Sequence, residues 1–302
     1  EIIEKNGPLI KKYYSKLVKK IINNKELKRI SKVEDYSLLD MSLILEKNNY
    51  KSPRILDALK LIALEILLKK NKGNHLQLIA SDILVIKSVQ DLCKEYSVCL
   101  ELIKNKQKKT EFNIKNYIPH RIQGILFGLK YVIDRFKLIK SKIKDDFFES
   151  KILIVSYFTH INDSNLKNKR INFNQWGEIP YLFGEKISWI HHYVPNQSSI
   201  LDSSNLLNKI NNSQKKQTHN FLDSIINLKI MSQIFYIFIK HILKYPHIAE
   251  IRKDFKINHF KANFWHLLKN DLYKSIFGIT AFENIIYIKS FDAYLSKFKK
   301  IK

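Results

Sequence analysis

Between Lys151 and Asn196 the chain carries two short apolar runs, Ile152–Phe158 (ILIVSYF) and Ile187–Val194 (ISWIHHYV), separated by about 30 residues that leave room for a loop and one helix. Runs of strand length that far apart have the layout of a β–crossover–β unit. This limits the fold, because a crossover implies parallel pairing and a helix on a sheet face. In open parallel sheets, ligands bind beyond the carboxyl ends of the strands. Both runs end in groups with chemistry: Ser156, Tyr157 and His160 after the first, and His191, His192 and Tyr193 at the second.

The same alternation runs upstream. Pro53 opens a helix over Arg54–Lys70 with Ile55, Leu59, Ile62, Ala63 and Ile66 on one stripe. A strand is predicted over 75–81, a helix over 82–96 and a strand over 98–103. Further helices are predicted over 8–22, 35–50 and 119–142, the last with Ile122, Ile125, Leu126, Leu129, Val132, Ile133 and Phe136 turned inward. Residues 198–217, rich in Ser and Asn, read as a mobile loop with some helix. Residues 221–243 read as a helix. Its apolar part, Ile230–Leu243, is about 14 residues against the roughly 20 of a membrane span, so it reads as buried. A helix, or two broken near Asn258, is predicted over 248–275, a strand over 285–288 and a helix over 290–299. The fold class is therefore α/β: a Rossmann-like open parallel sheet flanked by helices, with a helical C-terminal portion. The divisions are 1–34 helical, 35–220 the α/β domain and 221–302 a mainly helical extension.

Composition narrows the function classes. The formal charge is +25, which favours anionic partners. Only six of the 53 basic residues are Arg, at positions 29, 54, 121, 135, 170 and 252. Sites that read phosphate or base edges bidentately favour Arg, so nucleic acid is disfavoured, and the Lys, Ile and Asn richness fits a coding bias. Cys93 and Cys99 form no ligand spacing, which argues against a disulfide framework or metal site and for a reducing cytoplasm. The first residues are charged rather than apolar, and no signal peptide is expected from them. The chain opens on Glu1, so the functional unit is expected to be longer.

The sequence has no GxGxxG, Walker loop, HExxH or GxSxG. With seven glycines, nicotinamide dehydrogenases and P-loop ATPases are set aside. Glu46, Lys47 and Asn48, followed by Lys51, Ser52 and Pro53, stand immediately before a helix. They form either an anion-binding helix start or a capped one, with Ser52 as N-cap. Ser81 and Asp82 lie at a strand–helix turn, where Asp82 caps the helix or meets a polar substrate. His160 is either a general base or a structural hydrogen-bonder. His191 and His192, adjacent on a strand, point to opposite faces and make a poor metal pair. Trp176 and Trp189 are core aromatics or a platform for a sugar ring.

Three pieces taken together, DMSLILEKNNYKSPRILDALKL (40–61), ILIVSYFTHIND with Trp176 (152–176) and ISWIHHYVPN (187–196), are similar in order and wording to a bacterial family of surface carbohydrate biosynthesis proteins. These are glycosyltransferases of O-antigen (lipopolysaccharide) and related clusters. The resemblance implies the N-terminal, GT-B-like half of a two-domain enzyme that moves a sugar from a nucleotide-activated donor to a glycan or lipid-linked acceptor. No cofactor is permanently bound, and the nucleotide sugar is substrate. One family block matches Glu46, Lys47, Asn48 and Lys51, and another matches Ser156, Tyr157 and Trp176. Glu46 and His160 are then candidate bases on the acceptor hydroxyl. Lys47, Asn48, Lys51, Ser81, Asp82, Ser156, Tyr157, Trp176 and His191 are candidate substrate contacts. The implied location is cytoplasmic, with peripheral contact to the anionic inner membrane face. The competing reading is a basic module without catalysis that binds nucleic acid or anionic membrane.

Overall fold

A computed structural model describes residues 2–46, 51–70, 75–103, 118–139, 143–158, 161–162, 172–173, 175–182, 186–195, 199–213 and 216–298. In chain order the elements are α1 (Ile2–Lys5), α2 (Gly7–Asn23), α3 (Lys25–Ser31), β1 (Lys32–Val33), β2 (Tyr36–Ser37), α4 (Leu43–Glu46), α5 (Arg54–Lys70), β3 (His75–Ile79), α6 (Ile83–Tyr96) and β4 (Cys99–Ile103). There follow α7 (His120–Ile139), β5 (Ile152–Tyr157), β6 (Ile161–Asn162), β7 (Asn172–Phe173), α8 (Ile179–Leu182), β8 (Ile187–His192), α9 (Ile200–Ser213), β9 (Gln217–Phe221), α10 (Leu228–Ile242), α11 (Ile248–Lys253), α12 (Trp265–Phe277) and α13 (Ile279–Leu295). The fold is mixed α/β with small parallel sheets. The parallel strands are divided between two sheets in two compact units, Glu1–Leu126 with Ile237–Asn284, and Phe127–Tyr236 with Ile285–Lys302.

In the first unit, β3 pairs parallel with β4 from His75↔Cys99 to Ile79↔Ile103, and α6 is the crossover. The core beneath is helical. Ile10, Leu17 and Ile21 of α2, Ile55, Ala58 and Ile62 of α5, Val89 and Leu92 of α6, and Leu268, Leu272 and Ile276 of α12 share one cluster. The i, i+3, i+4, i+7 spacing read in α5 is what turns these side chains to one side. Glu65 is fully buried in this core and is satisfied. It accepts from the Ala262 backbone N–H at 2.9 Å, from that of Lys261 at 2.6 Å and from the Tyr96 hydroxyl at 2.9 Å.

In the second unit, β8 lies between β5 and β9, all parallel, with Trp189 opposite Ile154 and His219. The alternation of the strands separates two faces. One carries Ile154, Ser156, Trp189, His191, Gln217 and His219, and packs against Ile210 of α9 and Trp176. The other carries Ser188 and His192. The Ser188 hydroxyl donates to the Phe147 carbonyl at 2.6 Å, and His192 meets Tyr287 and Phe291 of α13.

Five sequence expectations are corrected. In place of one helix from 35, the described residues form β2 at Tyr36–Ser37 and the four-residue α4 at Leu43–Glu46. The run 285–288 is part of α13, not a strand; Phe282, Ile285, Ile286 and Ile288 are all buried along it, so an all-round apolar helix was read as a short β run. The residues 198–217 contain the fourteen-residue α9 and the first residue of β9. The helix expected from 221 starts at Leu228, after the end of β9 and a 3-10 turn. Most of the inward stripe of α7 faces outward: Ile122, Leu126, Leu129, Ile133 and Phe136 are between 48% and 77% exposed, and Ile125 and Val132 are partly buried. The buried side of α7 is instead that of Gly124, Gly128 and Leu138.

Candidate functional site

The carboxyl end of β3 leads through Ala80 and Ser81 to Asp82, the N-cap of α6. Asp82 Oδ1 accepts from the Leu84 and Val85 backbone N–H groups at 2.8 and 3.3 Å. Its other oxygen meets Arg54 Nη1, on the first turn of α5, at 2.7 Å. Arg54 Nη1 also reaches Asp57 Oδ2 at 3.1 Å. Burial alone would raise the Asp82 carboxyl. The Arg54 guanidinium and the two backbone donors outweigh it and hold the group below the usual carboxylate range. Immediately before α5, the fully buried Ser52 donates its hydroxyl to Asp271 of α12. Burial pushes the Asp271 carboxyl up, against the pull of Ser52, Lys274, Arg54 and His120. His120 is pushed down, by burial first and by Lys274 second. The result is a polar edge that presents a partly exposed Asp–Arg pair at the starts of two helices, braced from behind by Ser52 and Asp271.

The second unit has its own polar edge. Asp223, buried just after β9, accepts from the Tyr131 hydroxyl and, at 3.0 Å, from Arg135 Nη1. Arg135 Nη2 donates to the Tyr193 carbonyl at 3.3 Å, and its guanidinium lies 4.8 Å from the Tyr193 ring centroid. Burial raises the Tyr131 phenol well above its ordinary value, reinforced by Asp223. Half-buried His192 is pushed down by burial, with Asp223 pulling the other way. Beneath this edge, the fully buried His191 Nε2 and His219 Nδ1 are 2.9 Å apart, with nearly parallel rings. Burial holds His191 down at about 3 and His219 well below the ordinary histidine value, so both are neutral near pH 7. The Trp189 indole donates to Gln217 Oε1 at 3.0 Å in the same layer.

The sequence-derived site residues separate accordingly. Glu46 and Lys51 form an ion pair at the surface, Ser81 is exposed, and Asp82 both caps and pairs with Arg54. Lys47, Asn48 and His160 lie outside the described residues. Ser156 accepts from Trp176 Nε1 at 3.4 Å, and Trp176, partly buried, packs edge-on against the core Trp189. Tyr157 is half exposed beside His192. His191 and His192 do lie on opposite faces, and His191, expected as a substrate contact, is sealed in the core. Ser52 was expected as an N-cap; its hydroxyl is directed to Asp271. Among the described residues, no group of three or more His, Cys, Asp or Glu is placed to hold a metal ion.

Sequence reading missed Arg54, Asp271, Arg135, Asp223 and His219. The scarcity of arginine was the usable signal. In a chain that uses Lys almost everywhere, Arg29, Arg54 and Arg135 each face a carboxylate at bonding distance, where the fixed guanidinium fork suits a partly buried partner. A search of family models, of curated proteins and of solved structures finds no match to this chain.

Proposed function

We propose that the chain is a glycosyltransferase of bacterial surface carbohydrate assembly, with Rossmann-like units of the GT-B type, acting on a nucleotide sugar and a glycan or lipid-linked acceptor at the cytoplasmic membrane face. The observation that carries this reading is the β3–α6 edge, where Arg54 and Asp82 stand 2.7 Å apart at the starts of two helices. An adjacent donor and acceptor of this kind suits vicinal sugar hydroxyls, and Lys51 and Arg54 offset diphosphate charge. In the reaction the acceptor oxygen attacks the anomeric carbon, the bond to the phosphate oxygen breaks, and the nucleoside diphosphate leaves. Glu46, or His160, takes the acceptor proton.

Nucleoside diphosphate release from a panel of nucleotide sugars, with and without glycan acceptors, tests the proposal. Glu46→Gln should lower the rate by roughly 10²-fold or more if Glu46 is the base. Unchanged transfer in both Glu46→Gln and His160→Ala would remove both from the role. A second reading, a basic module without catalysis, is favoured by the charge of +25 and by the exposed Lys11, Lys12, Lys16 and Lys19 along α2. Steeply salt-dependent binding to DNA, RNA or anionic vesicles with no sugar turnover would select it.

A further inference from the structure

Helix α10 was read from sequence as buried, and it is buried on one side only. Met231, Ile234, Phe238 and Ile242 face inward. Leu228, Tyr236 and Ile239, and Leu243 on the closing turn, fall along one flank at helical spacing, with Ser232 among them, and are 91%, 66%, 46% and 74% exposed; Lys229, Gln233 and Lys240 take the side directly opposite the buried one. Lys229 and Lys240 stand exposed beside this row, and Tyr245, 77% exposed, follows it. From Ser224 to Ala249 the chain contains no Asp or Glu, whereas Lys occurs at 229, 240 and 244. At 15 residues α10 is about 22 Å long. Among the described residues, no helix is long and apolar enough to cross a membrane.

We infer that the exposed apolar flank of α10, with the lysines bordering it, is a membrane-docking surface that lies in the plane of an anionic bilayer. The apolar row enters the headgroup–acyl boundary, the lysines meet lipid phosphates, and Tyr236 and Tyr245 sit at the interface level that suits a ring with a polar tip. Charge selects this occupant. A second copy would bring +25 against +25. A nucleic-acid backbone would use the lysines and leave the Leu, Tyr and Ile side chains in water. The inference deepens the membrane-face location in the proposed function by naming the surface that docks, and it stands without the transferase chemistry, because it rests on α10 and the turn that follows it.

Co-sedimentation of the full chain with vesicles tests it, using phosphatidylcholine alone and with about one-third phosphatidylglycerol. The chain should bind the mixed vesicles, and part of that binding should survive about 0.5 M salt, where headgroup attraction is screened. Ile239→Glu with Leu243→Glu should weaken vesicle binding by about tenfold or more. Both side chains face water, so the melting temperature and DNA binding should stay as in the parent. Lys229→Gln with Lys240→Gln should remove several-fold of the preference for anionic lipid. Equal vesicle binding by the glutamate variant would overturn the inference, since diffuse charge would then be sufficient. So would concentration-dependent dimers that the same substitutions disperse, since a second copy would then cover the face.

Discussion

His191 and His219 share a hydrogen bond that requires at least one neutral ring, and burial keeps both rings neutral. Their folded values lie below the ordinary histidine value, so the unfolded chain takes up protons first as pH falls. Their contribution to stability is therefore fully present above about pH 6.5. It is lost progressively as pH falls toward about 3, the folded value of His191. Melting temperature should decline over that window, and less steeply in His191→Phe than in the parent when each is referred to its own value at pH 7.5. Asp82 supports a second prediction. Asp82→Ala removes both the α6 cap and the Arg54 partner and should cost about 1–2 kcal/mol in urea unfolding. Asp82→Asn, which can still cap, should cost less. The cap was legible in the sequence, as a strand run followed by Ser-Asp and a helix pattern. Arg54 as its ion partner was not, because pairing between the starts of two separate helices leaves no local trace.

Among the elements, α5 was legible to the residue, and β3, α6, β4, β5 and β8 nearly so, because each couples an apolar period to a clear stop. The strand β9 was not legible. Its buried side chains include Gln217 and His219, which look like loop residues in sequence. They are tolerated inside because Gln217 accepts from Trp189, His219 pairs with His191, and the His219 backbone exchanges two bonds with Asn211. Amphipathic helices exposed the other limit of pattern reading: α7 and α10 were expected to bury apolar rows that the structure leaves in water, because period alone does not say which side is covered. Gly124 fixes the close approach of α7 to its neighbours in the first unit. A Cβ there would overlap the ring of buried Phe238 and come within 3.1 Å of the Gly278 carbonyl. Gly124→Ala would gain roughly 1 kcal/mol of helix propensity but should destabilise overall, by about 1–3 kcal/mol of overpacking, which chemical denaturation would read.

For the whole molecule, the charge of +25 is the dominant long-range term. Self-repulsion destabilises a compact state of that charge, and salt screens it. Melting temperature should therefore rise between low salt and about 0.15 M salt, where the Debye length shortens to about 8 Å. The alternation that suggested parallel α/β structure is present, distributed over two small sheets in separate units. Each unit gathers polar side chains beyond the carboxyl ends of its strands: Arg54 and Asp82 in one, Arg135 and Asp223 in the other. Asp223 is buried with its partners already in place, whereas Asp82 and Arg54 retain accessible surface, which is why the substrate reading rests on the latter pair. Calorimetric binding of nucleotide sugars and glycan acceptors to the parent chain and to Asp82→Asn tests that reading most directly. At least one such ligand should bind saturably to the parent and about tenfold or more weakly to Asp82→Asn, measured at a temperature where both proteins are fully folded. Equal binding by both proteins, or no saccharide binding alongside steeply salt-dependent binding to DNA, would contradict it.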